Sequence, residues 1–288
     1  MGLLSGLGGF GLDGLEGMKL YEDPSKESNA AKEGTSGENG TPEANKVSEA
    51  DFIFEKSYTC PACDKEFKNL SVKANRARLK EIDTDLRPVY EQIEPLKYDV
   101  VMCPHCGCAA IGRYWNGLTD NQRKLIKANI SAKFTPKQRK GELYSYDEAL
   151  ERYQVALANA MVKRVKASEK AYICLRAGWL LRSKAESLDS SVAGYADELK
   201  KAKDMEDEFL QNALEGFITA RESELFPICG MDEMTVDYLI AALSVRFGKY
   251  DQASKLVGSL LTNRNLSARM KDKTLQLKEA IVNAKSGK

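Results

Sequence analysis

Two stretches alternate apolar and polar positions and then run into a Cys-Pro-x-Cys turn: DFIFEKSYTC, ending at Cys60, and LKYDVVMC, ending at Cys103. A period of two that stops at a turn predicts a short strand before each of them. Between the turns, NLSVKANRARLKEIDTDLRPVYEQIEP mixes helical spacing with two prolines and predicts no single element. From Thr119 the period becomes helical. TDNQRKLIKANI opens with Thr119 as an N-cap. The segment containing YDEALERYQVALANAMVKRV sets Ala149, Tyr153, Ala156 and Ala160 on one face, and SEKAYICLRAGWLLRSKAES does so with Ala171, Leu175, Gly178 and Trp179 behind Ser168 as cap. DMEDEFLQNALEGFITARES, EMTVDYLIAALSVRFGKYDQASKLVGSLLTN and SARMKDKTLQLKEAIVNAK complete the helical half, with SLDSSVAGYADELKKAKD read as an insertion.

The N-terminal segment behaves differently. In residues 1–22, Leu3, Leu4, Leu7, Phe10, Leu15 and Met18 fall roughly on a helical stripe, but Gly6, Gly8, Gly9, Gly11 and Gly14 oppose a free helix. Such a leader either folds onto its own domain or docks on a partner, a sister subunit or a membrane surface. Residues 23–50 are built mainly from Ser, Gly, Asn, Glu, Lys, Pro and Ala and bury too little apolar surface to offset ordering, which predicts a disordered linker. The leader has no basic residue before Lys19 and is interrupted by Asp13 and Glu16, so it does not read as a signal peptide. No run approaches the ~20 apolar residues of a membrane span. The expected location is the cytoplasm.

Three helical segments share one element. YDEALERYQVALANA, LQNALEGFITARE and YDQASKLVGSLL each set a small residue (Ala149, Ala213, Ala253) ahead of apolar positions at roughly i+4 and i+7. A small residue lets a neighbouring helix come close while the larger ones fill the groove beside it. The pattern, with the Gly turn in RFGKYDQA, resembles the second helix of the tetratricopeptide repeat.

Seven cysteines in a chain without a secretion signal point to a reducing compartment and metal rather than to a disulfide framework. Four of them form two knuckles, Cys60-Pro61-Ala62-Cys63 and Cys103-Pro104-His105-Cys106. Two such turns facing each other make a tetrahedral four-sulfur site of the kind Zn²⁺ takes. The 39 residues between Cys63 and Cys103 exceed the usual ribbon spacing, and an inserted hairpin or helix accommodates them. A Cys-Pro-His-Cys dithiol would instead need a helix starting at its first cysteine, whereas Gly107 follows the second. The expectation is one structural Zn²⁺ per chain on Cys60, Cys63, Cys103 and Cys106. Cys108 reads as a small buried residue rather than an alternate ligand, and Cys174 and Cys229 as core. His105, the sole histidine, is expected to face solvent, and its solitude excludes a second-histidine metal site or a Ser–His–Asp arrangement.

Charge alters the picture only locally. Residues 51–142 carry seventeen bases and twelve acids, a net of five. Lys73, Arg76, Arg78 and Lys80 beside the first knuckle suggest either a solvated face or phosphate contacts. Asp83 and Asp85 lack a further carboxylate cluster and are a poor cation site.

The order of these features, YTCPACDKEF through VVMCPHCGCAA and then YDEALERYQVALANA and LRAGWLLRSKAE, resembles a bacterial domain-of-unknown-function family, numbered 2225. The resemblance implies a two-knuckle zinc site followed by tetratricopeptide-like helices, and carries no assigned activity. Cys108 departs from it, standing where an aromatic is more usual. The expected architecture is mainly α: a small zinc-ribbon-like α+β module over 51–118, then a tetratricopeptide-like α-helical repeat domain over 119–288. The expected function is that of a non-catalytic zinc-binding adaptor that takes a protein segment in a helical-repeat groove, with a nucleic-acid-associated protein using the 73–80 stretch as the alternative. Neither reading makes the chain an enzyme.

Overall fold

The computed structural model describes residues 2–21 and 48–286, so residues 23–47, most of the expected linker, lie outside the described residues. The chain divides into two units. Unit 1 takes residues 1–79 and 90–164, and unit 2 takes residues 80–89 and 165–288. The division differs from the expected boundary at 118/119: the first two helices belong with the cysteine knuckles, and a piece from between the knuckles belongs with the later helices.

Unit 1 is built on two antiparallel hairpins and one long helix. Strands β1 (Ile53–Thr59) and β2 (Glu66–Val72) pair from Ile53↔Val72 to Thr59↔Glu66. Strands β5 (Val100–Met102) and β6 (Ala109–Ile111) pair from Val100↔Ile111 to Met102↔Ala109. The alternation before each knuckle thus forms the first strand of a hairpin. Helix α1 (Asp120–Ile126) starts at the predicted cap, where the Thr119 hydroxyl accepts from the Gln122 N–H and the Gln122 side chain reaches back to the Thr119 N–H. It widens into a π-turn over Lys127–Ser131. Helix α2 (Tyr146–Val162) has the same reciprocal cap, from Ser145 and Glu148, and is buried along nearly its whole length.

The leader joins this core. Leu4, Leu7, Phe10 and Leu12 are buried, Phe10 stacks on Phe134 with ring centroids 5.8 Å apart, and the Thr135 N–H donates to the Phe10 carbonyl. Short 3₁₀ turns at Gly8–Phe10 and Asp13–Leu15 replace the helix its glycines disfavour. Of the two expectations for the leader, folding onto its own domain is what the structure shows.

Unit 2 is helical: α3 (Ala167–Ser187), α4 (Tyr195–Ser223), α5 (Glu233–Arg246), α6 (Tyr250–Thr262) and α7 (Ala268–Lys285) each pack on the next in chain order. Part of the expected insertion, from Tyr195 on, is the first turns of α4. α3 begins at Ala167 without a side-chain cap; Ser168 lies inside its first turn and its N–H and hydroxyl both donate to Glu224. Gly178 sits where α3 meets α4, and a Cβ there would lie 2.7 Å from Leu210 Cδ2, so any larger residue would have to push Leu210 aside. Ala213 and Ala253 are fully buried in this unit, whereas Ala149, equally buried, lies on α2 of unit 1. The three alanine-centred elements are therefore divided between the two units.

The remaining strands, β3 (Leu79–Ile82) and β4 (Pro88–Tyr90), form a hairpin whose tip is the part of unit 2 drawn from between the knuckles. Leu86 at the tip packs into the cluster of Tyr238, Val257, Leu277 and Ile281. The Tyr238 hydroxyl donates to the Thr84 carbonyl, and Lys273 Nζ to the carbonyls of Ile82 and Asp83. Asp83 and Asp85 face arginines: Arg182 binds both at 2.7–3.1 Å and Glu206 at 2.7 Å, Arg87 joins Asp83 to Glu186, and Trp179 Nε1 donates to Asp85. These acids are ion-pair partners, in keeping with their poor standing as a cation site.

Candidate metal centre

Each Cys-Pro-x-Cys motif occupies the tip of a hairpin, and the two tips have the same backbone. In the first, the Cys60 N–H donates to the Lys65 carbonyl and the Asp64 N–H to the Cys60 carbonyl; in the second, Cys103 N–H donates to Cys108 and Gly107 N–H to Cys103, all at 2.9–3.0 Å. The fifth residue of each tip adopts a left-handed conformation, Asp64 at φ 60° and Gly107 at φ 69°. Asp tolerates that region and Gly favours it. At Gly107 a Cβ would also meet the Phe134 ring at 2.4 Å, which fixes glycine there twice over.

The turns aim their sulfurs at one point. The Sγ atoms of Cys60, Cys63, Cys103 and Cys106 all lie within 4.8 Å of one another. Cys60 and Cys106 are 3.5 Å apart and Cys63 and Cys103 3.8 Å apart. These separations are far beyond a disulfide, at ~2.05 Å. They match the ~3.8 Å edge of a sulfur tetrahedron around an ion with ~2.3 Å metal–sulfur bonds. Backbone N–H groups point at the sulfurs as well: Ala62 donates to Cys60 at 3.4 Å, His105 to Cys103 and Cys108 to Cys106. Such donors stabilise thiolates, the form that binds metal. Among the thiols themselves, bonds from Cys103, Cys106 and Cys108 pull Cys60 far down, while Cys106 is pushed up by Cys103 and Cys108 by Cys60. Sulfurs this close favour one anion shared with the remaining protons unless a cation takes their place. The four cysteines together can bind a metal ion.

Helix α2 holds the two tips in register. Arg152, buried on its inward face, donates to the Asn69 side chain in β2 and to the Val100 carbonyl in β5, and its guanidinium lies 4.3 Å from the Tyr144 ring centroid. Asn159, two turns on, donates to the Gly107 carbonyl in the second tip. Tyr153 reaches Leu96 and Asp99 just before β5. Arg152, Asn159 and Asn69 were not singled out by the sequence. Arg152 and Asn159 leave one signal there, a charged and an amide residue on the otherwise apolar face of YDEALERYQVALANA, and Asn69 in β2 leaves none.

The other singled-out residues stand apart from the cluster's ligands. His105 is exposed, with Nε2 3.3 Å from the Glu66 carbonyl. Cys108 is buried beside Cys60 and lies outside the four-sulfur group. Cys174 is fully buried. Cys229 departs from its expected core position: it is half-buried in the loop before α5, at φ 51°, with its thiol donating to the Ser168 carbonyl. Lys73 Nζ donates to the Asp51 carbonyl, whereas Arg76, Arg78 and Lys80 are exposed and Lys80 lies 3.7 Å from Glu81. No helix among the described residues is long and apolar enough to cross a membrane.

No curated protein and no solved structure matches the chain. A family model does, over residues 53–281, a span that covers both knuckles and reaches into α7. With the paired knuckles inside that span, the chain belongs to the family described as uncharacterized proteins conserved in bacteria, DUF2225.

Proposed function

We propose that the protein is a non-catalytic adaptor in which one Zn²⁺, held by Cys60, Cys63, Cys103 and Cys106, fixes unit 1, while the helices of unit 2 bind a protein segment in the manner of tetratricopeptide repeats. The observation that carries the reading is the four-sulfur cluster, whose donor set and spacing suit Zn²⁺. Four thiolates complete zinc's tetrahedron, leaving no position for a substrate or an activated water. Free thiols throughout fit a reducing compartment such as the cytoplasm.

Two features of unit 2 support the adaptor role. Its helices already hold a chain segment, the hairpin tip over residues 82–87, by its backbone carbonyls and carboxylates. α7 also leaves Leu275 and Val282 exposed, seven residues apart and so on one helix face. The test has two arms. Metal analysis of purified protein is expected to give about one zinc per chain, lost in Cys60→Ser and Cys106→Ser. A photo-crosslinking residue at position 275 or 282 is expected to capture a discrete protein in living cells. Metal-free protein with an intact fold refutes the zinc role, and no discrete adduct at either position refutes the adaptor role.

A further inference from the structure

The geometry points to a single-stranded nucleic-acid site on unit 1, formed by a groove between β1 and the Gly112–Asn116 segment together with the basic run that starts at Arg113. It does not depend on the adaptor reading of unit 2.

The first observation is charge. Residues 113–140 hold eight Lys and Arg against one acid, Asp120, a net of plus seven in 28 residues of a chain whose overall net charge is plus one. Some of these bases are neutralised locally: Arg123 pairs with Asp64, Lys137 with Glu151, and Arg139 lies 4.0 Å from Glu55. Lys124, Lys127, Lys133 and Lys140 are exposed, and no acid among the described residues pairs with them. A surface with an excess of one sign concentrates a polyanion and speeds its arrival. The 73–80 stretch has fewer bases and gives up Lys73 to Asp51 and Lys80 to Glu81.

The second observation is a cavity of about 540 Å³ lined by Lys56, Ser57, Tyr58, Thr59, Trp115 and Asn116. Tyr58 stands edge-on to Trp115 at 6.0 Å and stacks on Phe67 at 5.9 Å, so its ring is braced from behind. Lys56 Nζ lies 5.2 Å from the Tyr58 ring centroid. A braced aromatic ring, a cation, two hydroxyls and a side-chain amide are the groups that take a base face, a phosphate and base edges. The basic run is tied to this hairpin at Glu55 and at Asp64, on either side in sequence of the groove strand 56–59. Phosphates along the run and a base in the groove therefore suit one flexible strand. A duplex keeps its bases stacked inside and cannot offer one. An anionic membrane fits less well, since stable surface binding also needs inserted apolar side chains, and Phe54 and Leu79 are the large exposed apolar residues described in this unit.

The test uses the full-length, metal-loaded protein and a fluorescein-labelled mixed-sequence RNA 20-mer, read by anisotropy. The same-length duplex and vesicles containing phosphatidylserine serve as competitors. Saturable binding is expected at low salt, weakening on a log–log plot with a slope of several units. Replacing Lys124, Lys127, Lys133 and Lys140 with Gln should lower affinity at least tenfold and flatten that slope. Tyr58→Leu should cost five- to tenfold with the slope unchanged, at unaltered zinc content and circular dichroism. Absence of saturable binding overturns the proposal, as does competition by duplex or vesicles equal to that by the single strand. A Tyr58→Leu protein that binds like the parent also overturns it.

Discussion

Replacing Arg182 by Met tests whether the acidic tip of the β3–β4 hairpin is held by a buried charge network. Arg182 is 17% exposed and spans Asp83, Asp85 and Glu206, of which Asp85 and Glu206 are nearly fully enclosed. Burial opposes its charge, but the bonds to Asp85 and Glu206 more than compensate and raise its pKa. Deleting one partner of a buried pair costs ~3–5 kcal/mol because a charge is left behind without its counterion. Here each acid keeps a second donor: Asp83 has Arg87, Asp85 has Trp179 Nε1, and Glu206 has Arg246 at 3.0 Å. The loss is therefore placed at the low end, about 3 kcal/mol. The chain has two tryptophans, Trp115 in unit 1 and Trp179 in unit 2. In a Trp115→Phe background, Trp179 fluorescence follows unit 2 alone during urea unfolding. With a slope near 2 kcal/mol/M, the midpoint should fall by about 1.5 M. Lys285→Ala, which breaks a pair to the 94%-exposed Asp251, should leave the midpoint almost unchanged. A midpoint shift for Arg182→Met no larger than that of Lys285→Ala would refute the reasoning.

Three further outcomes follow from unit 1, read by Trp115 fluorescence in a Trp179→Phe background unless stated. Gly107→Ala must hold a side chain at φ 69° and push a methyl into Phe134, and should cost about 2 kcal/mol or more, with faster metal loss to a chelator. Leu7→Ala empties a fully buried site and should cost about 3 kcal/mol; a near-neutral result would show the leader is not part of the core. Metal retention should fall steeply between about pH 8 and pH 5, because protons compete for four thiolates; a colorimetric chelator assay that shows no pH dependence would contradict thiolate ligation.

The four-cysteine cluster was legible because a Cys-Pro-x-Cys turn is a local code: the residues that place the sulfurs are the ones beside them. Helix positions were likewise legible where period and cap agree, as at Thr119. What escaped were polar and charged residues that behave as core. Arg152 and Asn159 read as ordinary polar positions on α2, and only their partners in β2, β5 and the second knuckle show what they do. The capture of residues 80–89 by unit 2 escaped for a related reason. Its bonds join positions about 100 to 190 apart in the chain, and no periodicity reports such a distance. The basic run over 113–140 was visible to a simple charge count, but helical periodicity claimed that stretch first.

The placement of residues 80–89 bears on the order of events during synthesis. Both knuckles, with all four sulfurs, leave the ribosome well before α3 begins at Ala167. Metal can therefore close the loop from Cys63 to Cys103 while the strand inside it still lacks every helix it belongs with. Asp83 and Asp85 wait for Arg182, and the carbonyls of Ile82 and Asp83 wait for Lys273. Until α3 and then α7 emerge, the nascent chain displays a hairpin tip, tethered at both ends, whose Asp85 carboxylate and whose Ile82 and Asp83 carbonyls lack their later partners, and which a chaperone or a wrong partner can reach. No single cut afterwards yields two complete units, since the polypeptide passes between them three times.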